Sequence, residues 1–250
     1  MSNYKKPTDY FDEELATLLA NKIIKVYPEF DREVFIASIQ NGIKNKALKQ
    51  RVELIADKLN HQLPSDYPES TKILLKILGP ENPNETGMFT EFYWVMPVAK
   101  FVEKYGLDHF EASINAIEEI TKRNTGEYAI RPFIREYPEK TMSVMTRWAR
   151  SENFHLRRLA SEGLRPKLPW ASKLELFIEN YTPVFGILEL LKEEPVHFVK
   201  KSVANHLTDY LKVNSEPTVK LIQNWKQSEN EHTLWIIKHA TRKTDIKSLN

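Results

Sequence analysis

The sequence predicts an all-α protein built as a curved array of stacked helix pairs. Three observations carry that prediction. Only seven of the 250 residues are glycine, and leucine, isoleucine, lysine and glutamate are plentiful, a composition that favours helix. Apolar residues recur three and four apart along most of the chain, the spacing of one helical face. The C-terminal half repeats a helix–turn–helix pattern at intervals of about 40 residues.

The elements follow in order. Residues 8–27 read as an amphipathic helix capped by Thr8, with Leu15, Leu18, Leu19, Ile23 and Val26 in its stripe and Pro28 ending it. Asp31 caps the next helix, with Val34, Phe35 and Ile39 inward, and Asn41-Gly42 stops it. Residues 46–60 give a third through Leu48, Val52, Ile55 and Leu59. Pro64 and Pro68 bracket a loop, Ser70 starts a fourth helix and Gly79-Pro80 closes it. A turn-rich linker over residues 79–90 leads to the aromatic run Phe89, Phe92, Tyr93 and Trp94. A helix spans Val98 to Tyr105, and Asp108 caps another carrying Phe110, Ile114, Ile117 and Ile120. Pro132 sits just inside a short helix, and a further helix covers Met142 to Ala149.

The central stretch runs from Ser151 to Trp170. Asn153 caps a helix whose stripe is Leu156, Leu159, Ala160 and Gly163. Arg158, Glu162 and Arg165 lie on the roughly opposite side, and Pro166 stops the helix near Arg165. Lys167, Pro169 and Trp170 follow on the exit. Two readings are open for this cluster: an ordinary surface ion pair worth about 0.3–0.5 kcal/mol with a packing tryptophan, or a carboxylate held between two guanidiniums beside an indole for chemistry.

Beyond Trp170 the pattern repeats. Ile187 to Lys192 and Val196 to Leu211 form one helix pair, and Val219 to Trp225 and Thr233 to Arg242 form the next. An offset of 43 lays Arg157-Arg158 on Lys200-Lys201 and Leu156 on Val199. For the third unit, 33 stacks His206 on His239 and 37 stacks Lys201 on Lys238. Units of this size mark HEAT-like solenoids, whose second helices line one concave surface. Arg158, Lys201 and Lys238 then recur along it, a row suited to a duplex backbone or to an acidic protein.

Composition narrows the classes. With no cysteine, disulfides and Cys-based metal sites are excluded. The first residues lack the apolar core of a signal peptide, and no apolar run is long enough to span a membrane. Net charge is +2, yet residues 121–170 hold eleven Lys/Arg against five Asp/Glu, leaving the rest of the chain at −4. That segment suits a polyanion. There is no glycine-rich phosphate loop, paired-histidine motif or serine nucleophile elbow, and the seven histidines are scattered. Neither metal nor organic cofactor is implied.

At SENFHLRRLASEGLRPKLPWA the sequence resembles the AlkC-type DNA glycosylases, relatives of the HEAT-like AlkD group. YGLDHFEASINAIEEIT, GEYAIRPFI, VKKSVANHL and TLWIIKHATR extend the resemblance from about Tyr105 to Arg242. It implies excision of cationic alkylated bases, chiefly 3-methyladenine and also 3-methylcytosine, from double-stranded DNA by a monofunctional enzyme in base excision repair. By the same analogy Glu127, Glu162 and Trp170 form the catalytic cluster. Arg157, Arg158, Arg165, Lys167, Lys200, Lys201, Lys238 and Arg242 are the expected DNA contacts. The expected organisation is one helical domain over 1–250, with N-terminal helices in 1–80, the repeats in 81–250, and no C-terminal β-sandwich of the kind some members carry. A monomer in the cytoplasm, on the nucleoid of a prokaryote, is the expected setting. The alternative is a catalytically silent HEAT-like module binding nucleic acid or protein.

Overall fold

A computed structural model describes residues 5–243, and every regular element among them is helical. The chain divides into two compact units, the boundary falling between Ala129 and Ile130.

The first unit holds α1 (Glu13–Ile23), α2 (Arg32–Gly42), α3 (Leu48–Gln62), α4 (Tyr67–Lys76), α5 (Met96–Tyr105) and α6 (Phe110–Thr121), with 3₁₀ turns at Pro7–Tyr10 and Tyr93–Val95. Leu15, Leu19, Ile23, Phe35, Ile39, Ile55 and Leu59 are fully buried, so most of the predicted stripes form its core, but Leu18 is exposed and Val26 and Leu48 are half-buried at the stripe edges. Several boundaries move, each for a local reason. Asp12, not Thr8, caps α1, its carboxylate accepting from the Glu14 and Leu15 amides. Asp66 caps α4 by accepting from Glu69 N–H, and Pro68 falls in the first turn, where its missing N–H costs nothing. Asp31 caps α2 as expected, but Val34 points outward at 56% exposure. Asp108 is not a cap; α6 begins after His109 with no side-chain cap.

The second unit holds α7 (Arg131–Glu136), α8 (Pro138–Ala149), α9 (Phe154–Glu162), α10 (Leu176–Glu179), α11 (Thr182–Leu190), α12 (His197–Val213), α13 (Ser215–Trp225) and α14 (Glu231–Thr241). α12 packs against α9 on one side and α14 on the other, and α8 and α11 pack on each other and on α9. The second helix of each pair thus stacks in one layer, as a helical repeat requires. α9 and α12 begin at Phe154 and His197, which is the 43-residue register read from the sequence. α14 begins 34 residues after α12, nearer the offset of 33 than that of 37. Val203, Leu207, Leu159 and Ile236 fill the space between the three helices. No helix among the described residues is long and apolar enough to cross a membrane.

Candidate active site

The site is built at the C-terminal end of α9. Asn153 starts that helix by accepting from His155 N–H. Leu156, Leu159 and Ala160 face inward, and Gly163 allows close approach: a Cβ there would meet Ile130 Cγ2 and Met145 Cε at 2.9 Å. The helix ends at Glu162, three residues before the predicted stop. Leu164 and Arg165 donate instead to Ser161 O and Glu162 O, bonds of 3₁₀ type that tighten the last turn.

The predicted placement of Glu162 between two guanidiniums is present. Arg165 Nη1 donates to Oε1 at 2.6 Å, and Arg158 Nη2 lies 3.8 Å from the same oxygen. Ser202 Oγ, from α12, donates to Oε2 at 2.5 Å. This is not the surface ion pair of the bland reading. Glu162 is 6% exposed and Arg165 8%, because α12 covers them. Burial alone would raise the Glu162 pKa, but Arg158, Arg165 and the Ser202 hydroxyl together hold it below the usual carboxylate range. Arg165 also donates through Nε to Asp209 Oδ2 at 2.8 Å, so one guanidinium ties two carboxylates. Asp209 shifts the other way: its burial and the nearby Glu162 charge outweigh the Arg165 pairing.

Behind this cluster lie buried polar side chains from two helices. Ser202 Oγ is 3.1 Å from Ser161 Oγ, which is 3.4 Å from His206 Nδ1. His206 is fully buried, stacked on Tyr210 with ring centroids 5.3 Å apart, and its Nε2 has no hydrogen-bond partner. Burial first, and then the Arg165 charge, push its pKa down to about 3, so the ring is neutral.

The loop after α9 is pinned from α7. The buried Arg131 guanidinium donates to Gly163 O and Arg165 O, both at 3.0 Å, and to Ser172 O at 2.7 Å. Arg135 Nη2 donates to Ser172 Oγ, and Leu168 and Leu174 are buried beneath the loop. Trp170 stands out from it. It is 62% exposed and has φ +62°, a left-handed conformation that strains a bulky residue. A packing anchor would be buried, so the packing reading of Trp170 does not hold.

Glu127 belongs to the first unit and is 5% exposed. Thr125 Oγ1 donates to its Oε2 at 2.9 Å. Asn124 anchors the preceding turn by donating to Met88 O and Phe92 O. A Cβ on Gly126 would strike Thr121 Oγ1 at 2.6 Å, so the turn lies tight against α6.

The predicted cations separate into two groups. Arg157, half-buried, and Arg165, buried, have their guanidiniums engaged by carboxylates. Arg157 makes a bidentate pair with the buried Glu194, at 2.7 and 2.9 Å, and donates to Ser151 O and Glu152 O. Lys167, Lys201, Lys238 and Arg242 are exposed. Arg158 and Lys200 are half-buried, lying over the Phe198 ring at 4.5 Å and the Trp235 ring at 5.1 Å. Trp235 in turn stacks on His239, and His197 meets it edge-on. Burial, together with Arg242, Lys201 and His197, lowers the His239 pKa, as expected where cations gather.

Sequence reasoning missed Arg131, Ser161, Ser202 and Asp209 and singled out His206 only for its alignment with His239. A signal was there: Ser202, His206 and Asp209 lie at i, i+4 and i+7, a polar stripe within an otherwise apolar helical face.

Over residues 39–244 the chain matches the model of the family described as DNA alkylation repair enzyme. It is 35% identical over 235 residues to a Bacillus subtilis (strain 168) protein named Uncharacterized protein YhaZ, covering 94% of this chain and 63% of that one. The fold matches that of Pseudomonas fluorescens alkylpurine DNA glycosylase AlkC, solved bound to DNA containing an abasic site analog. The TM-score is 0.85 at 33% identity, over 95% of this chain and 64% of the other. The chain therefore spans a little under two thirds of the length of the relatives it matches. With most of its length matched by the family model, an all-α helical-repeat fold in common and a relative at 35% identity, the chain belongs to the DNA alkylation repair enzyme family.

Proposed function

We propose that this chain is a monofunctional DNA glycosylase acting on cationic alkylated bases, 3-methyladenine first and 3-methylcytosine second, in double-stranded DNA. The observation that carries the reading is Glu162, a buried carboxylate held ionised by Arg158, Arg165 and Ser202, eight residues before an exposed and strained tryptophan. Its likeness to AlkC supports the same reading.

An N3-alkylated base already carries positive charge and leaves without being protonated. What the reaction needs is an anion to offset the charge developing on the sugar, and a positioned water at C1′. The two glutamates divide those tasks on chemical grounds. Glu162 has both oxygens engaged by donors and a lowered pKa, so it is a poor base and a good fixed charge. In a dry, low-dielectric setting such a charge acts more strongly than in water. We therefore assign electrostatic stabilisation to Glu162 and water positioning to Glu127. The Trp170 indole offers a π face to a cationic base or sugar, a contact worth about 0.5–2 kcal/mol. Lys167, Lys200, Lys201, Lys238, Arg242 and Arg158 are the phosphate contacts in this reading, whereas Arg157 and Arg165 hold carboxylates. A Schiff-base lyase step is not part of it. The proposed setting is the cytoplasm, with the protein working on chromosomal DNA as a monomer.

The test is chromatographic identification of the base released from methylated duplex DNA. Free 3-methyladenine is the expected product, and Glu162→Gln should suppress it by roughly 10²–10³-fold while duplex binding survives. Release undiminished in that variant removes Glu162 from the mechanism. Tight binding without release by the wild type would identify a non-catalytic module.

A further inference from the structure

We propose that His206, Ser161 and Ser202 form a directional hydrogen-bond chain that positions Glu162 and keeps it anionic. This deepens, and rests on, the glycosylase reading of the same site. None of the three side chains needs to touch substrate; they act through Glu162 and are positioning residues.

The direction follows from proton counting. An ionised carboxylate can only accept, and a hydroxyl has a single proton to give. Ser202 gives its proton to Glu162 Oε2 across 2.5 Å. The 3.1 Å bond between the two serine oxygens must then be donated by Ser161. With the Ser161 proton spent, the 3.4 Å contact to His206 can form only if Nδ1 carries the imidazole hydrogen. Nε2 is then a bare lone pair. It is the ring nitrogen with no partner in the fully buried surroundings of His206, and an N–H placed there would be an orphaned donor. Four residues on two helices therefore admit one consistent arrangement of hydrogens, and the carboxylate terminates it.

The consequence is mechanical as well as electrostatic. Oε1 is held by Arg165 from the loop, Oε2 by Ser202 from α12, so the carboxylate cannot rotate about its last bond. The charged or titratable groups facing this network are Arg158 on α9, Arg165, Asp209 on α12 and Arg131 on α7. A purely structural contact between α9 and α12 would be served as well by apolar side chains. A polar chain sealed from water and ending on the proposed catalytic anion has a further use.

The experiment follows the Glu162 side-chain carboxyl by ¹³C NMR across pH in the full chain, assigned with Glu162→Gln. Ser202→Ala should move its midpoint to higher pH, and Ser202→Thr, which keeps a hydroxyl, should restore it. Release of 3-methyladenine by Ser202→Ala should fall about tenfold further on the acid side than on the plateau, the loss of one charge-assisted hydrogen bond. A variant that loses stability but keeps the wild-type midpoint overturns the proposal. Should Ser202→Ala fail to fold, Ser161→Ala breaks the chain one link earlier and is read the same way. ¹⁵N spectra of the wild type need no variant. A protonated Nδ1 and bare Nε2 from pH 5 to 8 are expected, and the opposite tautomer overturns the chain's direction. Wild-type protein that releases no base sinks the glycosylase reading, while the carboxyl titration still decides the relay.

Discussion

Replacing His206 with glutamine should flatten the pH dependence of folding between pH 8 and pH 5. In the unfolded chain this imidazole takes up a proton near the ordinary histidine value of about 6.5. In the folded protein burial, reinforced by Arg165, holds its pKa down to about 3. Its neutral form is what folding buries, so its contribution is complete above pH 6.5. As pH falls below that, only the unfolded state gains the proton, and stability is lost until the folded pKa is reached. One pKa unit corresponds to about 1.4 kcal/mol, so the group costs about 2 kcal/mol at pH 5 and between 4 and 5 kcal/mol, roughly, near pH 3. His239 is shifted in the same direction and adds to the wild-type trend. It is present in both proteins and cancels in the difference. The assay is urea unfolding of wild type and His206→Gln at pH 8, 7, 6 and 5, with equal denaturant slopes confirming a common unfolding transition. The wild-type stability minus the variant stability should shrink by about 2 kcal/mol from pH 8 to pH 5. A difference constant across that range would mean that His206 titrates normally in the fold, and the reasoning from burial would fail.

Three further substitutions probe the supports of the site. Arg131→Met removes the donors that satisfy Gly163 O, Arg165 O and Ser172 O, and should cost roughly 2–4 kcal/mol by thermal or urea unfolding. Trp170→Gly relieves a left-handed backbone at an exposed position, so it should gain up to about 1 kcal/mol in stability while base release falls. Higher stability with release intact would separate the strain from function. Arg157→Met leaves Glu194 buried without its bidentate partner and should cost about 3–5 kcal/mol, with the salt slope of DNA binding unchanged.

Much of the second unit was legible because its signals are local. Asn153 is a cap in sequence and in structure, and the 43-residue register follows from apolar spacing that survives packing. Boundaries failed where two local signals compete. Pro68 reads as a helix breaker, yet with Asp66 before it the same residue sits comfortably in a first turn. The site was legible only in part, for a different reason. The Arg158–Glu162–Arg165 cluster is visible because its members are neighbours in sequence. What makes it more than an ion pair is Ser202, Asp209 and His206, some 40 residues away, brought in by the stacking of α12 on α9. Arg131 is less visible still: an arginine between Ile130 and Phe133 gives no hint that its partners are backbone carbonyls of a later loop. Trp170 has a positive φ within that loop, which no property of tryptophan predicts.

The charges of the second unit fall into two populations that answer different physical demands. Arg158, Arg165, Glu162 and Asp209, counted with ordinary ionisation, sum to zero, so the cluster as a whole adds little long-range attraction for a polyanion, and the phosphate contact proposed for Arg158 is a short-range one. What it supplies is a fixed local field, and the cost of desolvating it is met in folding by pairs at 2.6 and 2.8 Å. Lys167, Lys201, Lys238 and Arg242 stand in solvent, where counterions compete for them and where, on the proposed reading, they would attract a duplex. The +2 net charge of the whole chain hides this division, because it adds paired charges to free-standing ones. Salt therefore screens the exposed population more than the buried one. The buried carboxylate has protein donors on both oxygens, so on the proposed glycosylase reading added salt is expected to weaken duplex binding while leaving the rate of base release from the bound complex unchanged, which single-turnover assays at low and moderate salt would check.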